Sequence, residues 1–331
     1  MAHYILTGAG FSRNWGGWLA NEVFEYLLGC QEVADSPPLR TLLWRHQRLN
    51  GFESALAEVQ RDYVRNHRDN LNALLGLQAA IERMFTHMNR HLFTRQWEFQ
   101  QDRARTVTGF LARFDAIFTL NQDQLLEHHY RPELEAPAGR QAWHGLQLPG
   151  ATPQAGQVAN VPGSQAGPRW LVRDVGQIQL DPRSQPLYKL HGSSGWADHI
   201  HPQVMILGDN KAQDIGLFPV LSHYFERFET ALAAGDAKLV IIGYGFRDPH
   251  INEVLVRSVM EHGMKFFVID PQGADIARAV SPTANAPIHG RPTALEDAFV
   301  EGCRGASRRN LRDILGPDEV EYHKVIRFFE E

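Results

Sequence analysis

Lys238-Leu-Val-Ile-Ile242 runs into Gly243-Tyr-Gly-Phe-Arg-Asp-Pro-His250, a helical pattern follows from Pro249 to Glu261, and Lys265-Phe-Phe-Val-Ile269 then ends at Asp270-Pro271. Leu239–Ile242 and Phe266–Ile269 are apolar runs of strand length without an interposed polar residue, as expected of strands covered on both faces. Two such strands joined through a helix require a parallel crossover. The glycines after Ile242 give the chain a tight turn into the helix. This stretch therefore predicts an α/β fold, a Rossmann-like doubly wound parallel sheet.

The same unit recurs upstream. Tyr4-Ile-Leu-Thr7 ends in Gly8-Ala-Gly10, and Leu19, Val23, Phe24, Leu27 and Leu28 then mark one face of a helix within 17–28. Asp115-Ala-Ile-Phe-Thr-Leu120 ends in Asn121-Gln-Asp123 and a helical Leu125–His129, and Pro186–Leu190 leads to His191-Gly192. Val204-Met-Ile-Leu207 is a further ordered apolar run, and a helix is expected over 217–234. From 37 to 113 apolar residues recur at three- and four-residue steps, Leu71, Leu74, Leu75, Ile81 and Phe85 among them, which predicts a helical layer inserted in one domain spanning 1–331. Residues 132–186, rich in Gly, Pro, Gln and Ala, read as a loop-rich excursion placed to act as a lid.

Of the 331 residues 43% are hydrophobic and 21% charged, a globular composition that excludes a disordered or fibrous chain. The formal charge of −5, with signs mixed along the chain, leaves no polybasic surface, so no direct nucleic-acid binding is expected. No apolar run approaches the roughly 20 residues that a bilayer span needs, so no membrane contact is expected. The opening Met-Ala-His-Tyr-Ile-Leu-Thr-Gly8 enters a strand at once and leaves no room for a signal peptide, which reads as cytoplasmic. Two cysteines, Cys30 and Cys303, make neither a disulfide framework nor a four-thiolate zinc site. His128-His129 and His199-Ile-His201 lack partnering carboxylate or thiolate spacing, so no metal is expected.

In a doubly wound sheet ligands gather at the carboxyl ends of the strands. Here those ends carry Gly8-Ala-Gly-Phe-Ser12, Asn121-Gln-Asp123, His191-Gly192, Gly243-Tyr-Gly245 and Asp270. Gly8 and Gly10 let backbone approach a diphosphate at a helix N-terminus, which makes a dinucleotide the natural ligand; as a tight turn alone they need none. Arg13 stands where the dehydrogenase fingerprint has its third glycine, which speaks against hydride transfer. Asn121 and Asp123 either cap the following helix or serve a site. His191 is either a hydrogen-bonded loop histidine or a base titrating near neutrality.

In this order, Gly8-Ala-Gly-Phe-Ser12, Thr119-Leu-Asn-Gln-Asp123, His191-Gly192 and Gly243-Tyr-Gly-Phe-Arg-Asp-Pro-His250 resemble the GAGxS, TxNxD and HG motifs of the sirtuin fold. Gly10-Phe-Ser-Arg-Asn-Trp-Gly-Gly17 and Gly243 to Asn252 are more closely similar to the sirtuin-like NADases of bacterial anti-phage defence systems. Deacetylating sirtuins add a four-cysteine zinc module and a GIPDFR-like stretch. This chain has two cysteines and continues Arg13-Asn-Trp-Gly-Gly-Trp18, so the resemblance is to the branch without the module.

The resemblance implies NAD+ as substrate, with its diphosphate at Gly8, Ala9, Gly10, Phe11 and Ser12, with Gly192, Gly243, Tyr244 and Gly245 beside it, and with its adenosine ribose at Asp270. It implies that Asn121 holds the nicotinamide ribose and the attacking water, that His191 is the base, and that Asp123 orients Asn121. The implied activity is hydrolysis to nicotinamide and ADP-ribose, depleting NAD+ on phage infection. Control is implied through a homo-oligomer or a sensor-bearing defence partner. A non-catalytic NAD- or ADP-ribose-binding regulator and an ADP-ribosyl transferase are the alternatives.

Overall fold

The computed structural model describes residues 2–47, 51–100, 105–134, 141–154, 169–280 and 292–330. Seven strands form one parallel sheet: β1 (His3–Thr7), β2 (Ala116–Thr119), β3 (Leu146–Gln147), β6 (Gln185–Lys189), β8 (Lys238–Ile242), β9 (Lys265–Ile269) and β10 (Cys303–Ser307). Their spatial order is β10-β9-β8-β1-β2-β6-β3. The chain builds outward from β1 through β2 to β6 and the edge strand β3, then returns to place β8 on the other side of β1. This β1/β8 reversal is the topological switch point, and it opens a crevice at the strand ends. The predicted doubly wound α/β sheet is the observed one.

Burial explains why these runs are strands. All residues of β2 and β8 are buried, as are Ile5, Leu6 and Thr7 of β1 and Phe266 to Ile269 of β9. Helices must therefore cover both faces, and each fully buried Ile or Leu contributes about 1.5–3 kcal/mol. The strand ladder continues past the strand ends. Gly8 N donates to Ile242 O, Leu120 N to Thr7 O, Leu190 N to Thr119 O, Gly243 N to Ile269 O and Asp270 N to Ser307 O, all at 2.9–3.0 Å. These bonds hold the five loops in one row along the crevice.

Between β1 and β2 lies a helical layer: α1 (Ala9–Ser12), α2 (Ala20–Leu28), α3 (Gln31–Ala34), α4 (Pro37–His46), α5 (Phe52–Arg65), α6 (His67–Phe93) and α7 (Val107–Leu111). Residues 48–50 and 101–104 of the expected helical stretch lie outside the described residues. The 27-residue α6 begins at Asn66, whose side chain accepts from Asp69 N, and buries Leu74, Leu77, Ile81, Met84 and Phe85. Leu71 and Leu75 face outward at 40% and 54% exposure, although they share the apolar spacing. A helix covered on one side buries only the stripe that meets its neighbours.

Downstream come α8 (Leu125–His129), α9 (Lys211–Ile215), α10 (Pro219–Leu232), α11 (Pro249–His262), α12 (Ile276–Val280), α13 (Ala294–Gly302), α14 (Leu311–Ile314) and α15 (Glu319–Glu330). The loop-rich segment is only partly described, since 135–140 and 155–168 lie outside the described residues. Its described part supplies β3, β4 (Ala151–Pro153) and β5 (Trp170–Val172); β5 stands between β4 and β7 (Trp196–Ala197), which comes from beyond the segment, in a small second sheet. Val204–Leu207 forms no strand of its own; it contributes one bridge, Met205 to Gly192.

At the switch point two glycine turns touch backbone to backbone. A Cβ on Gly8 would stand 2.6 Å from Gly243 O, one on Gly10 2.6 Å from Gly243 Cα, and one on Gly243 2.4 Å from Gly10 C, with Gly243 itself at φ 60°. Nothing flexible lies in the way to yield. Gly243→Ala should therefore lose on the order of 2–4 kcal/mol, seen as a lower urea midpoint at unchanged slope. A midpoint equal to wild type would contradict the contact.

Candidate active site

The crevice opens into a cavity of about 980 Å³ at the ends of β1, β2, β6, β8 and β9, at the upper limit of common ligand-site volumes. Of the residues expected there, Gly8, Ala9, Gly10, Asn121, His191, Gly243, Tyr244, Gly245 and Asp270 line it. Phe11, Ser12, Asp123 and Gly192 do not. Phe11 is fully buried and packs on Trp15, ring centroids 5.1 Å apart, so its side chain belongs to the core. Gly192, at φ 74°, fits under the Val204 carbonyl, which a Cβ would approach to 2.3 Å. Ser12 and Asp123 stand behind the cavity wall and act on Asn121.

That framework fixes the Asn121 amide. Ser12 Oγ donates to Asp123 Oδ2 at 2.7 Å, so it accepts from Asn121 Nδ2 at 3.0 Å, and Nδ2 also donates to the Gly8 carbonyl at 3.0 Å. Both neighbours of Nδ2 can only accept, which rules out the flipped amide. Asn121 therefore offers the cavity its Oδ1, an acceptor, while its donors are engaged. Asp123 Oδ1 meanwhile accepts from Leu125 N at 3.0 Å, so the helix-start reading holds for Asp123 and not for Asn121. The amides of Gly8 and Gly10 are likewise engaged, by Ile242 O and Gly243 O.

Beneath this loop lies a buried ion pair. Lys189 Nζ meets Glu127 Oε1 at 2.7 Å with both side chains 1% exposed, and it also donates to the Asp123 carbonyl. Burial pushes the Glu127 carboxyl up, against the pull of Lys189. From the helical layer, Asn89 accepts from Gln124 N and donates to Ser194 Oγ, each at 3.0 Å. Helix α6 thus ties the Asn121 loop to the His191 loop.

His191 is 1% exposed, and its Nε2 lies 3.0 Å from His250 Nε2. Burial, with the Lys211 ammonium nearby, drives His191 down to about 3, so the ring is neutral at physiological pH. Lys211 bridges Glu53 Oε2 at 2.7 Å and Asp248 Oδ1 at 2.9 Å. Burial works against the Asp248 carboxylate, but the Lys211 ammonium bonded to it offsets this, and that carboxyl lies below its usual range. Asp270, half-buried, is raised by burial and accepts from Gln272 N.

Several lining residues were not assigned from sequence. Arg247, Asp248 and His250 sit in a quoted motif but carried no role. Glu53, Lys211 and the C-terminal Arg309 and Arg312 come from segments with no motif, and only the fold brings them to the cavity. None of the described residues of 132–186 lines it. Among the described residues no three His, Cys, Asp or Glu side chains are grouped to hold a metal ion, and no helix is long and apolar enough to cross a membrane.

A SIR2-like domain model matches residues 115–286, just over half of the chain. The chain belongs to the SIR2-like domain family. The SIR2-like match carries NAD-related activity in general, and it agrees with a dinucleotide-sized cavity at the switch point. Gly8 to Ser12 precede the matched SIR2-like residues, so their place in the site rests on the geometry above. No curated protein matches the chain.

Two outcomes follow for stability. Lys189→Met leaves Glu127 buried and unpaired and should cost about 3–5 kcal/mol, most of it recovered in Lys189→Met/Glu127→Leu; denaturation of the single and double variants checks this, and a harmless single variant would refute it. His191 and the half-buried His128, which burial and the adjoining His129 bring down to about 4, both have folded values below the ordinary 6.5. Their stabilising effect is complete above 6.5 and is lost as pH falls toward about 4 and then 3, because the unfolded chain takes up protons first. The melting temperature should therefore drop between pH 7 and pH 5, less steeply in His128→Phe.

Proposed function

We propose that this SIR2-like protein is an NAD+ glycohydrolase, cleaving NAD+ to nicotinamide and ADP-ribose. The observation that carries the reading is the pairing of an acceptor-only Asn121 Oδ1 with a neutral His191 on the wall of one switch-point cavity. NAD+ lies across the strand ends, with its adenosine ribose toward Asp270. Arg13, Arg247, Arg309 and Arg312 supply positive charge for the diphosphate, since the Gly8 and Gly10 amides already have partners.

Asn121 Oδ1 accepts a hydrogen bond from the nicotinamide ribose or from the attacking water. Water forms the new bond to the anomeric carbon as the bond to the nicotinamide nitrogen breaks. The electron pair stays with that nitrogen and quenches its charge, so the leaving group needs no acid. His191 takes the proton from the water. Fixing water and sugar in line replaces an encounter in solution with a positioned reaction. Asp123, out of contact with the cavity, acts by holding Ser12 and the Asn121 amide.

Unchecked NAD+ hydrolysis is toxic to its host. On the resemblance to anti-phage NADases we infer a cytoplasmic, abortive-infection role, with activity held off until self-assembly or a sensor-bearing partner releases it. The His191 value of about 3 also favours a second reading, an NAD- or ADP-ribose-binding regulator without turnover, because so weak a base needs help to act.

One experiment bears on both. Purified protein is incubated with NAD+ at neutral pH, nicotinamide and ADP-ribose are followed by chromatography, and thermal stabilisation by NAD+ is titrated in parallel. The hydrolase reading expects product from wild type once self-assembly or the partner has released it, and at least about a hundredfold less from Asn121→Ala or His191→Ala under the same conditions. Near-normal cleavage by either variant would overturn the mechanism, and stabilisation without product means either an enzyme still held off or the regulator.

A further inference from the structure

His191 and His250 come from different strand ends, after β6 and after β8, and meet through their Nε2 atoms at 3.0 Å. Their rings are 5.2 Å apart between centroids and tilted by 46°, so this is an edge contact between ring nitrogens, not a stack. Both side chains are buried and both line the cavity. Among the described residues neither Nδ1 has a hydrogen-bond partner. The Phe225 ring packs against His250 at 5.8 Å, and Asp248, held by Lys211, begins the helix that carries it.

We propose that His250 positions His191 and receives its proton during cleavage, a role that rests on the hydrolase reading of this cavity. With one Nε2 facing the other, only one of them can carry the hydrogen. His191 in the Nε2–H tautomer donates to an unprotonated His250 Nε2, and His191 Nδ1 is left as the acceptor for substrate. In the reaction the attacking water loses a proton to His191 Nδ1, and the His191 Nε2–H bond breaks as the His250 Nε2–H bond forms. Oxygen bonds to the anomeric carbon, and nicotinamide leaves with the electron pair of its bond. His250, which lines the cavity, then returns the proton to solvent. The charge thus comes to rest on His250, the ring on the cavity side of the pair's proton path, with the Asp248 carboxylate acting on both rings. A buried histidine too weakly basic to hold a proton needs to hold it only in passing.

The test combines spectroscopy of the free protein with kinetics. Histidine-selective nitrogen-15 labelling and long-range proton–nitrogen correlation should show His191 as the Nε2–H tautomer and His250 as the Nδ1–H tautomer. His250→Phe should break that pattern and lower kcat at least about tenfold with KM within about twofold. His250→Gln, whose Oε1 accepts the His191 hydrogen but cannot take it, should restore the His191 tautomer without restoring kcat. A His250→Gln enzyme as fast as wild type would overturn proton acceptance, and unpaired tautomers in wild type would overturn the pairing whatever the activity. If wild type shows the pair but leaves NAD+ intact, a hydrolase that acts without release by assembly or a partner is ruled out while the pairing stands.

Discussion

The backbone contact between the Gly8–Gly10 turn and Gly243 is the constraint on which the rest of the structure depends. It lies where the sheet reverses its building direction, and the Gly8 and Gly10 amides bond across it to Ile242 O and Gly243 O. No side chain fits between the two turns. Because they close on each other, the end of β1 is drawn level with the ends of β8 and β9, and the cavity has a floor. The same contact accounts for the GxG pattern without a ligand. The glycines pack the two turns together, and the polar side chains of the cavity stand around them.

Behind that floor the polar groups form a fixed chain. Ser12, Asp123 and the Gly8 carbonyl leave the Asn121 amide one orientation, and Lys189 with Glu127 anchors the loop from below. Such a framework is costly to bury unless each donor meets an acceptor. Its consequence is that the Asn121 Nδ2 has both hydrogens engaged and Oδ1 is left as the free acceptor. The helical layer is joined to it, through Asn89 at the Asn121 loop and through Glu53 at Lys211. A shift of that layer would therefore be felt at both the asparagine and the histidine side of the site.

The sheet was legible because fully buried strands have no polar face, so Leu239–Ile242 and Phe266–Ile269 announce themselves. Asn121, His191 and the glycine turns were legible because short motifs sit directly after such strands. Leu71 and Leu75 take part in the helix that their spacing predicts, but that spacing does not say how wide the covered stripe is, and both face outward. Val204–Leu207 misled because apolar residues can be buried without a ladder partner along their length. Phe11 and Ser12 stand within a motif but turn toward the core, and a motif does not reveal side-chain direction. Glu53, Lys211, Arg309 and Arg312 lie far apart in sequence, so no local pattern could bring them to one cavity.

On the proposed reading the switch-point cavity receives a dinucleotide along the strand ends. Amide hydrogen exchange with and without saturating ADP-ribose tests it most directly, since no turnover is needed. Slowed exchange is expected in the loops around residues 8–14, 120–124, 243–248 and 270–272, with the outer ends of α5 and α6 unchanged. Unaltered exchange in those four loops, or protection confined to other parts of the chain, would contradict it.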